Sequence, residues 1–342
     1  MKKLCALLFA AMPCMLAFAQ DNDFKPYFQK SFNNVSIQKL VVTTEGGLVA
    51  VNGSDSKDAD VQVSIRCNGP EMTDAQIEQD IKDNYIFTVN IDNGKLNAQL
   101  IRKSGDLPPE KRLYASFTVS IPRNVSTDLS TAGAPISLNG VNGDQQLATS
   151  GGNIAVTTVI GNVKCINSGG TTVLRDVTQK IDVSDAGGNI IVSHCSGDID
   201  IANSGGKIVF SDVYGNIKVG NSGADIVGAK VHGNLIASNV GANMVLTDLS
   251  CKVSAVTTNG NVYAKIRDLE DSRLIATKGK LVIVLPKQLN GDLALDGDKI
   301  NAEKLDNFKG TNANGRLIGQ VNNGGAKLTG SSPGGEIDIQ SL

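Results

Sequence analysis

Short runs of alternating hydrophobic and polar residues recur with an 18-residue period through the middle of this chain. When the sequence is written in lines of 18 from Ser150, six glycine-containing triplets align without a gap, from Ser150-Gly151-Gly152 to Val240-Gly241-Ala242. The next triplet, Asn259-Gly260-Asn261, arrives one residue late, and we expect the regular array to end there. A hydrophobic period of two predicts β-strands, and the glycines mark the bends between them.

Each line consists of two halves that open with a glycine and a polar residue, as in Gly152-Asn153 and Gly161-Asn162. We expect each 18-residue line to form one coil, and successive coils to stack at the strand spacing of ~4.8 Å. The sequence therefore predicts an all-β fold. It is a single-stranded β-solenoid, similar to a β-helix or β-roll, with 18-residue two-sheet coils, irregular flanking coils and one short helix.

Four columns of the aligned coils are almost entirely aliphatic, and we predict that they face inward. Their members are Ile154, Thr172, Ile190, Ile208, Ile226 and Met244; Val159, Val177, Cys195, Val213, Val231 and Leu249; Val163, Ile181, Ile199, Ile217, Leu235 and Val253; and Cys165, Val183, Ile201, Val219, Ala237 and Ala255. Cys165 and Cys195 lie two coils apart, beyond the ~7 Å Cα separation that a disulfide tolerates. We therefore predict that both are free, buried thiols, and Cys67 has no assigned partner.

One aliphatic column is predicted to face outward, because it alternates with inward positions on the first sheet. This column, the apolar stripe, comprises Ala155, Val173, Ile191, Val209, Val227 and Val245. Its counterpart on the second sheet is mostly polar. A continuous outer apolar surface indicates either cover by the flanking segments or a docking surface for a partner or a second copy of the chain.

The flanks divide the chain into four predicted segments. Residues 1–19 form a signal peptide, with Lys2 and Lys3 before an apolar run and a small-residue cleavage site at Ala19. Residues 20–135 are a β-rich segment with a short helix near residues 73–83, for which Thr73 and Gln76 form a capping box. Residues 136–273 hold the regular coils, and residues 274–342 form irregular coils that cap the stack.

The predicted leader and the composition constrain location and partners. Export leaves the periplasm, the outer surface and the medium open. No later stretch reaches the ~18 apolar residues of a membrane span. Once Lys2 and Lys3 leave with the leader, 30 basic residues remain against 34 acidic ones, a net charge of −4. The chain has no basic field that would bind nucleic acid.

The motifs for metal binding and catalysis are missing from the repeat. The calcium β-roll requires glycine and aspartate at positions that here hold residues such as Ile190 and Val192. His194 and His232 fall two coils apart in different columns. The polar column Asn167, Asp185, Asn203, Asn221 and Asn239 favours a structural ladder at a bend over a ligand site. We predict no catalytic residues, no cofactor and no metal.

The repeated motif resembles the bacterial putative-adhesin family of secreted, glycine-rich β-solenoid domains. The resemblance rests on Thr149-Ser150-Gly151-Gly152-Asn153-Ile154 and on Asn203-Ser204-Gly205-Gly206-Lys207-Ile208. It implies an exported cell-envelope protein with an adhesive role towards a protein or glycan surface ligand. Two alternatives stay open: a carbohydrate-active lyase or hydrolase on a β-helix, and a purely structural envelope component.

Overall fold

The computed structural model describes residues 26–103, 105 and 107–342. The predicted signal peptide lies outside the described residues. Within them, 24 strands join into one hydrogen-bonded sheet, accompanied by one α-helix and one short 3-10 helix. None of the described residues forms a helix long and apolar enough to cross a membrane. The predicted all-β class with its irregular flanks and single short helix is confirmed.

The central strands follow the 18-residue period. They are β8 (Ser126–Thr131), β9 (Ile136–Asn139), β10 (Gln145–Thr149), β11 (Ile154–Ile160), β12 (Val163–Asn167), β13 (Thr172–Asp185), β14 (Ile190–Asn203), β15 (Ile208–Asn221), β16 (Ile226–Val240) and β17 (Met244–Thr258). All pair in parallel with partners 18 positions away, from Thr127 opposite Gln145 to Val240 opposite Thr258. Each coil therefore stacks directly on the one before it.

Each coil has two arms that face each other across the core. The first arm comprises Ile154–Thr157 and its equivalents, and the second comprises Val163–Asn167 and its equivalents. In β13 to β17 the strand continues around the bend between them, so the arms form one sheet where two were expected. All four predicted inward columns are buried.

A fifth inward column, which the sequence analysis did not single out, completes the core. Its members are Val156, Leu174, Val192, Phe210, Gly228 and Leu246. Phe210 is the one aromatic ring in this column and is 1% exposed. The ring extends over Gly228 in the next coil, so a large and a small residue compensate each other.

The period gains one residue in the second arm of the last coil, and the prediction that the register changes at Asn259-Gly260-Asn261 is wrong. That turn keeps the period, since Met244 pairs with Val262, 18 positions on. Cys251 also pairs 18 positions on, with Leu269, but Ser254 pairs with Arg273, 19 positions on, so the extra residue lies between Leu269 and Arg273. The next strands are β18 (Val262–Leu269), β19 (Ser272–Thr277) and β20 (Leu281–Leu285).

The N-terminal end of the stack is built out of chain order. Its strands are β1 (Phe28–Phe32), β2 (Lys39–Thr44), β3 (Val49–Ser54), β4 (Ala59–Cys67), β5 (Tyr85–Asp92), β6 (Lys95–Arg102) and β7 (Leu113–Pro122). The coil formed by β2 and β3 lies between β6 and β7 on one side and β8 and β9 on the other. Strands β1, β4 and β5 cover this end by antiparallel pairing.

The single α-helix, α1 (Asp74–Asn84), packs on this end of the stack. Thr73 is its N-cap, and Gln76 completes the predicted capping box. Ile77 and Ile81 form its buried face. The 3-10 helix, Pro109–Lys111, follows in the connection to β7.

The C-terminal end repeats the same arrangement with β21 (Gly291–Lys304), β22 (Phe308–Ala313), β23 (Arg316–Val321) and β24 (Lys327–Ser341). The last strand, β24, lies between the coil of β19 and β20 and strand β21. Strands β23 and β22 add to β21 in antiparallel fashion. Antiparallel hairpins thus close both ends, a feature that the sequence analysis did not anticipate.

The contact between Phe210 and Gly228 provides a test of the core register. A Cβ atom on Gly228 would lie 2.4 Å from Cζ of Phe210, so Gly228→Val should lower the free energy of unfolding by about 1–3 kcal/mol through overpacking. Combining it with Phe210→Val should recover most of that loss. Urea unfolding followed by circular dichroism measures both, and a neutral single variant would refute the register.

Candidate functional site

The apolar stripe forms one continuous ladder on the outer face of the first arm. Its members pair in the order Ala155, Val173, Ile191, Val209, Val227 and Val245. Ile191 is 38% exposed and Val245 is 36% exposed, and the other four are half-buried. Because neighbouring strands lie ~4.8 Å apart, these side chains lie next to one another along the solenoid axis.

The ladder continues beyond the six predicted residues. Val245 pairs with Tyr263, and Tyr263 pairs with Val282, which gives eight successive coils with an outward apolar residue. At the other end, Ala155 pairs with Ser137, where the apolar character stops. Tyr263 was not predicted because it lies beyond the six aligned repeats. Val282 pairs with Tyr263 at a distance of 19 positions, so an alignment with a strict 18-residue period does not find it.

The described flanking segments lengthen the stack and do not fold across the apolar stripe. The N-terminal coil of β2 and β3 adds to β8 and β9, and the C-terminal coils add beyond β18. Their strands thus lie at the two ends of the ladder. Within the described part of the chain, the apolar stripe is open to solvent.

A polar ladder borders the apolar stripe on the side of the glycine turns. Side-chain Oδ1 atoms accept hydrogen bonds of 2.8–3.0 Å from backbone N–H groups of the next coil. The acceptors are Asn153, Asn189, Asp225, Asn243 and Asn261. These bonds tie each coil to its neighbour and fix the edge of the stripe. The sequence analysis missed this ladder, although its asparagines recur with the period.

The predicted amide column, in contrast, lies inside the glycine turns. Nδ2 of Asn167 donates to the carbonyl oxygens of Gly152 and Gly170, both at 2.9 Å. Asn203 and Asn221 make the equivalent pairs of bonds. The amides therefore bond to backbone of their own and the preceding turn, and not to each other as the stacked ladder implied. This geometry supports the structural interpretation of the column.

Asp185 interrupts this buried column, at 5% exposure. Its Oδ1 accepts hydrogen bonds from the backbone N–H groups of Gly187 and Gly188, and its Oδ2 accepts one from the Thr172 hydroxyl. A carboxylate has no N–H group for the carbonyl oxygens that the amides reach in neighbouring coils. The column therefore contains one poorly matched position.

The bend between the arms carries a column of mostly charged residues. Thr158, Asp176, His194, Asp212, Lys230 and Asp248 all adopt left-handed backbone conformations with φ of 52–54°. Oδ2 of Asp212 lies 3.7 Å from Nε2 of His194 and 3.4 Å from Nζ of Lys230. The second histidine, His232, lies in a different column and stacks on Tyr214 with ring centroids 4.7 Å apart. These groups pair with one another at the surface.

The cysteines behave as small hydrophobic residues. Cys165, Cys195 and Cys251 are buried, which confirms the predicted burial of the first two, and Cys67 is half-buried. Desolvation raises the pKa of Cys195 to about 11 and that of Cys251 to about 12, and it raises the pKa of Cys165 well above its usual range. The thiolate is the reactive form, so these three thiols are inert near neutral pH.

The described residues contain no group of three or more His, Cys, Asp or Glu side chains arranged to hold a metal ion. The described surface also carries a half-exposed apolar ladder with a polar border. Such a surface can bind a partner by burying aliphatic area.

The chain matches no family model and no curated protein. Solved structures that are similar to it include a "putative cell adhesion protein" from Clostridium sporogenes (11% identity, 93% of this chain and 100% of that one, TM-score 0.19), a "putative adhesin" from Bacteroides fragilis (12%, 91% and 96%, 0.33) and a "putative lipid binding protein" from Parabacteroides distasonis (12%, 91% and 96%, 0.30). Two of these names agree with the family that the repeat resembles.

Asp185 allows the amide column to be tested by a stabilising change. Asp185→Asn should raise the free energy of unfolding by about 1–2 kcal/mol, because the new amide can donate to the carbonyl oxygens of the turns. The converse change, Asn203→Asp, should lower it by about 1–3 kcal/mol. Denaturant unfolding measures both variants. If Asp185→Asn lowered the free energy of unfolding, hydrogen bonds from the amides to the turn carbonyl oxygens would not be what stabilises this column.

Proposed function

We propose that this protein is an exported, non-catalytic binding protein of the bacterial cell envelope, an adhesin that engages its partner through the apolar stripe. One observation carries the proposal. The outward face of the first arm holds an unbroken apolar ladder over eight coils. The corresponding column of the second arm is mostly polar, with Lys164, Asp182, Asp200 and Lys218.

The ladder has the physical properties of a recognition surface. Contiguous apolar area rimmed by polar residues marks an interaction site, because leaving it in water is unfavourable. Each strand of the ladder is hydrogen-bonded to strands on both sides, and the polar ladder holds its border. Binding therefore orders little additional backbone, which lowers the entropic cost of association.

Two further features support export and a binding role. The leader-like segment at residues 1–19 favours secretion. At the bend between the arms, Asp212 pairs with His194 and Lys230, and Arg175 pairs with Asp176 at 3.4 Å. Charges that satisfy one another at an exposed bend favour a stabilising role over catalysis, so we assign the protein to the non-catalytic class.

The proposal can be tested with beads coated with the mature chain and applied to whole cells of the source bacterium. Wild-type beads should be retained. Ile191→Lys combined with Val209→Lys should abolish retention, because two ammonium groups would have to be desolvated in the contact. Circular dichroism should show an unchanged fold, since both side chains point outward.

Ser184→Lys combined with Ala202→Lys is the matched control, since it adds the same two charges in adjacent coils of the second arm. These control beads should be retained like the wild type. If beads with the wild type, the stripe variant and the control variant were all retained equally, the apolar stripe would not be the binding surface. Release of reducing sugar from envelope polysaccharides by the wild type would instead support the enzymatic alternative.

A further inference from the structure

Two opposite charges lie without an ion-pair partner at the centre of the polar border of the apolar stripe. From Asn153 to Lys280, this column contains amides and a hydroxyl except at its centre, where Lys207 and Asp225 occupy adjacent coils, and at its end, where Lys280 pairs with Glu336 and Asp338 of its own chain. Among the described residues, neither side chain has an ion-pair partner within 4.0 Å. Asp225 uses its Oδ1 for the backbone N–H of Asn243.

These charges coincide with the midpoint of the apolar ladder. Of its eight residues from Ala155 to Val282, the fourth is Val209 and the fifth is Val227. Lys207 precedes the fourth by two residues, and Asp225 precedes the fifth by two. Consider a second copy of the chain related by a two-fold axis that runs parallel to the strands and passes between these two coils. Each outward column of one copy then faces the same column of the other copy, with the order of the coils reversed.

We infer that the partner of the apolar stripe is a second copy of this chain, bound face to face with the two solenoid axes antiparallel. This inference rests on the proposed function and identifies the partner of the same surface. The symmetry sets Lys207 opposite Asp225 of the second copy, and Asp225 opposite its Lys207. Two ion pairs then form at the centre of the contact.

The same symmetry matches the apolar residues along the whole ladder. Val209 opposes Val227 of the second copy, and Ile191 opposes its Val245. Towards the ends, Val173 opposes Tyr263, and Ala155 opposes Val282. Each opposed pair is apolar, so the eight-residue apolar ladder is self-complementary, as an isologous interface requires.

The column on the other side of the apolar stripe adds a like-charge encounter, which the axis repeats: Arg175 of each copy faces Lys265 of the other. Each already has an acidic neighbour in its own chain, with Arg175 3.4 Å from Asp176 and Lys265 3.7 Å from Asp248. Both lie near the ends of the contact, where charges remain solvated and interact weakly. This encounter therefore does not oppose the central pairing strongly.

The area of this face is sufficient for a specific dimer. Eight coils at ~4.8 Å and three outward columns at ~6.7 Å give roughly 770 Å² on each copy. The total of roughly 1,500 Å² falls within the ~1,200–2,000 Å² of specific protein interfaces. An aliphatic centre that lacks hydrogen-bonding groups suits another protein face better than a glycan, and the reversed charges suit a second copy.

Sedimentation velocity of the mature chain tests this arrangement. The wild type should be a dimer, and Lys207→Asp or Asp225→Lys alone should weaken dimerisation at least ~10-fold, since each variant opposes like charges twice across the axis. The chain carrying both changes should dimerise nearly as well as the wild type. An equimolar mixture of the two single variants should form a heterodimer, because both central ion pairs are then restored.

A monomeric wild type, or a mixture of single variants that stays monomeric, would overturn the inference. Circular dichroism of each single variant separates loss of folding from loss of association. The two proposals can fail separately. If the chain is monomeric but beads that carry the Ile191→Lys, Val209→Lys double variant still lose retention, the binding function is supported and the partner is a different molecule. If the charge exchange succeeds but wild-type beads are not retained, the dimer stands and adhesion fails.

Discussion

Backbone hydrogen bonds between residues 18 positions apart hold this molecule together. A single coil buries too few side chains to offset the entropy of ordering it, so each coil depends on its neighbours, and the stack is stable only as a unit. The same register generates every other feature. It aligns the inward columns into a core, sets asparagine side chains against the backbone of the adjacent coil, and places six aliphatic side chains from Ala155 to Val245 in one outward line.

The ends of the stack differ from the regular coils in how their strands pair. A solenoid of parallel coils would expose unpaired strands at both ends, and such edges invite further strand addition. Here the strands β2 and β3 and the last strand, β24, are internal to the stack, and antiparallel strands cover the coils beyond them. The outermost strands β1, β5 and β22 each pair on one side only, so the edges lie on short antiparallel strands, apart from the apolar face of the first arm.

The 18-residue period predicted the core and the apolar stripe because successive side chains of a strand point to opposite faces of the sheet, and the register fixes which of them stack. Cys165 and Cys195 could be placed inward on that basis alone. The ends could not be predicted, because Lys39 pairs with Ser126 across an excursion that has no repeat. Val282 was missed because it follows the extra residue between Leu269 and Arg273. The bonding of Asn167 to Gly152, and the left-handed bend at residues such as Asp176, depend on backbone geometry that side-chain patterns do not reveal.

Each 18-residue repeat advances the chain by one strand spacing. Spin labels on the outward column of the second arm measure this advance directly by pulsed electron–electron double resonance in dilute, monomeric protein. Asp128 and Lys218 are five coils apart and Asp128 and Ser254 are seven, so we expect backbone separations of about 24 and 34 Å. Separations that do not grow by about 5 Å per coil would contradict this expectation.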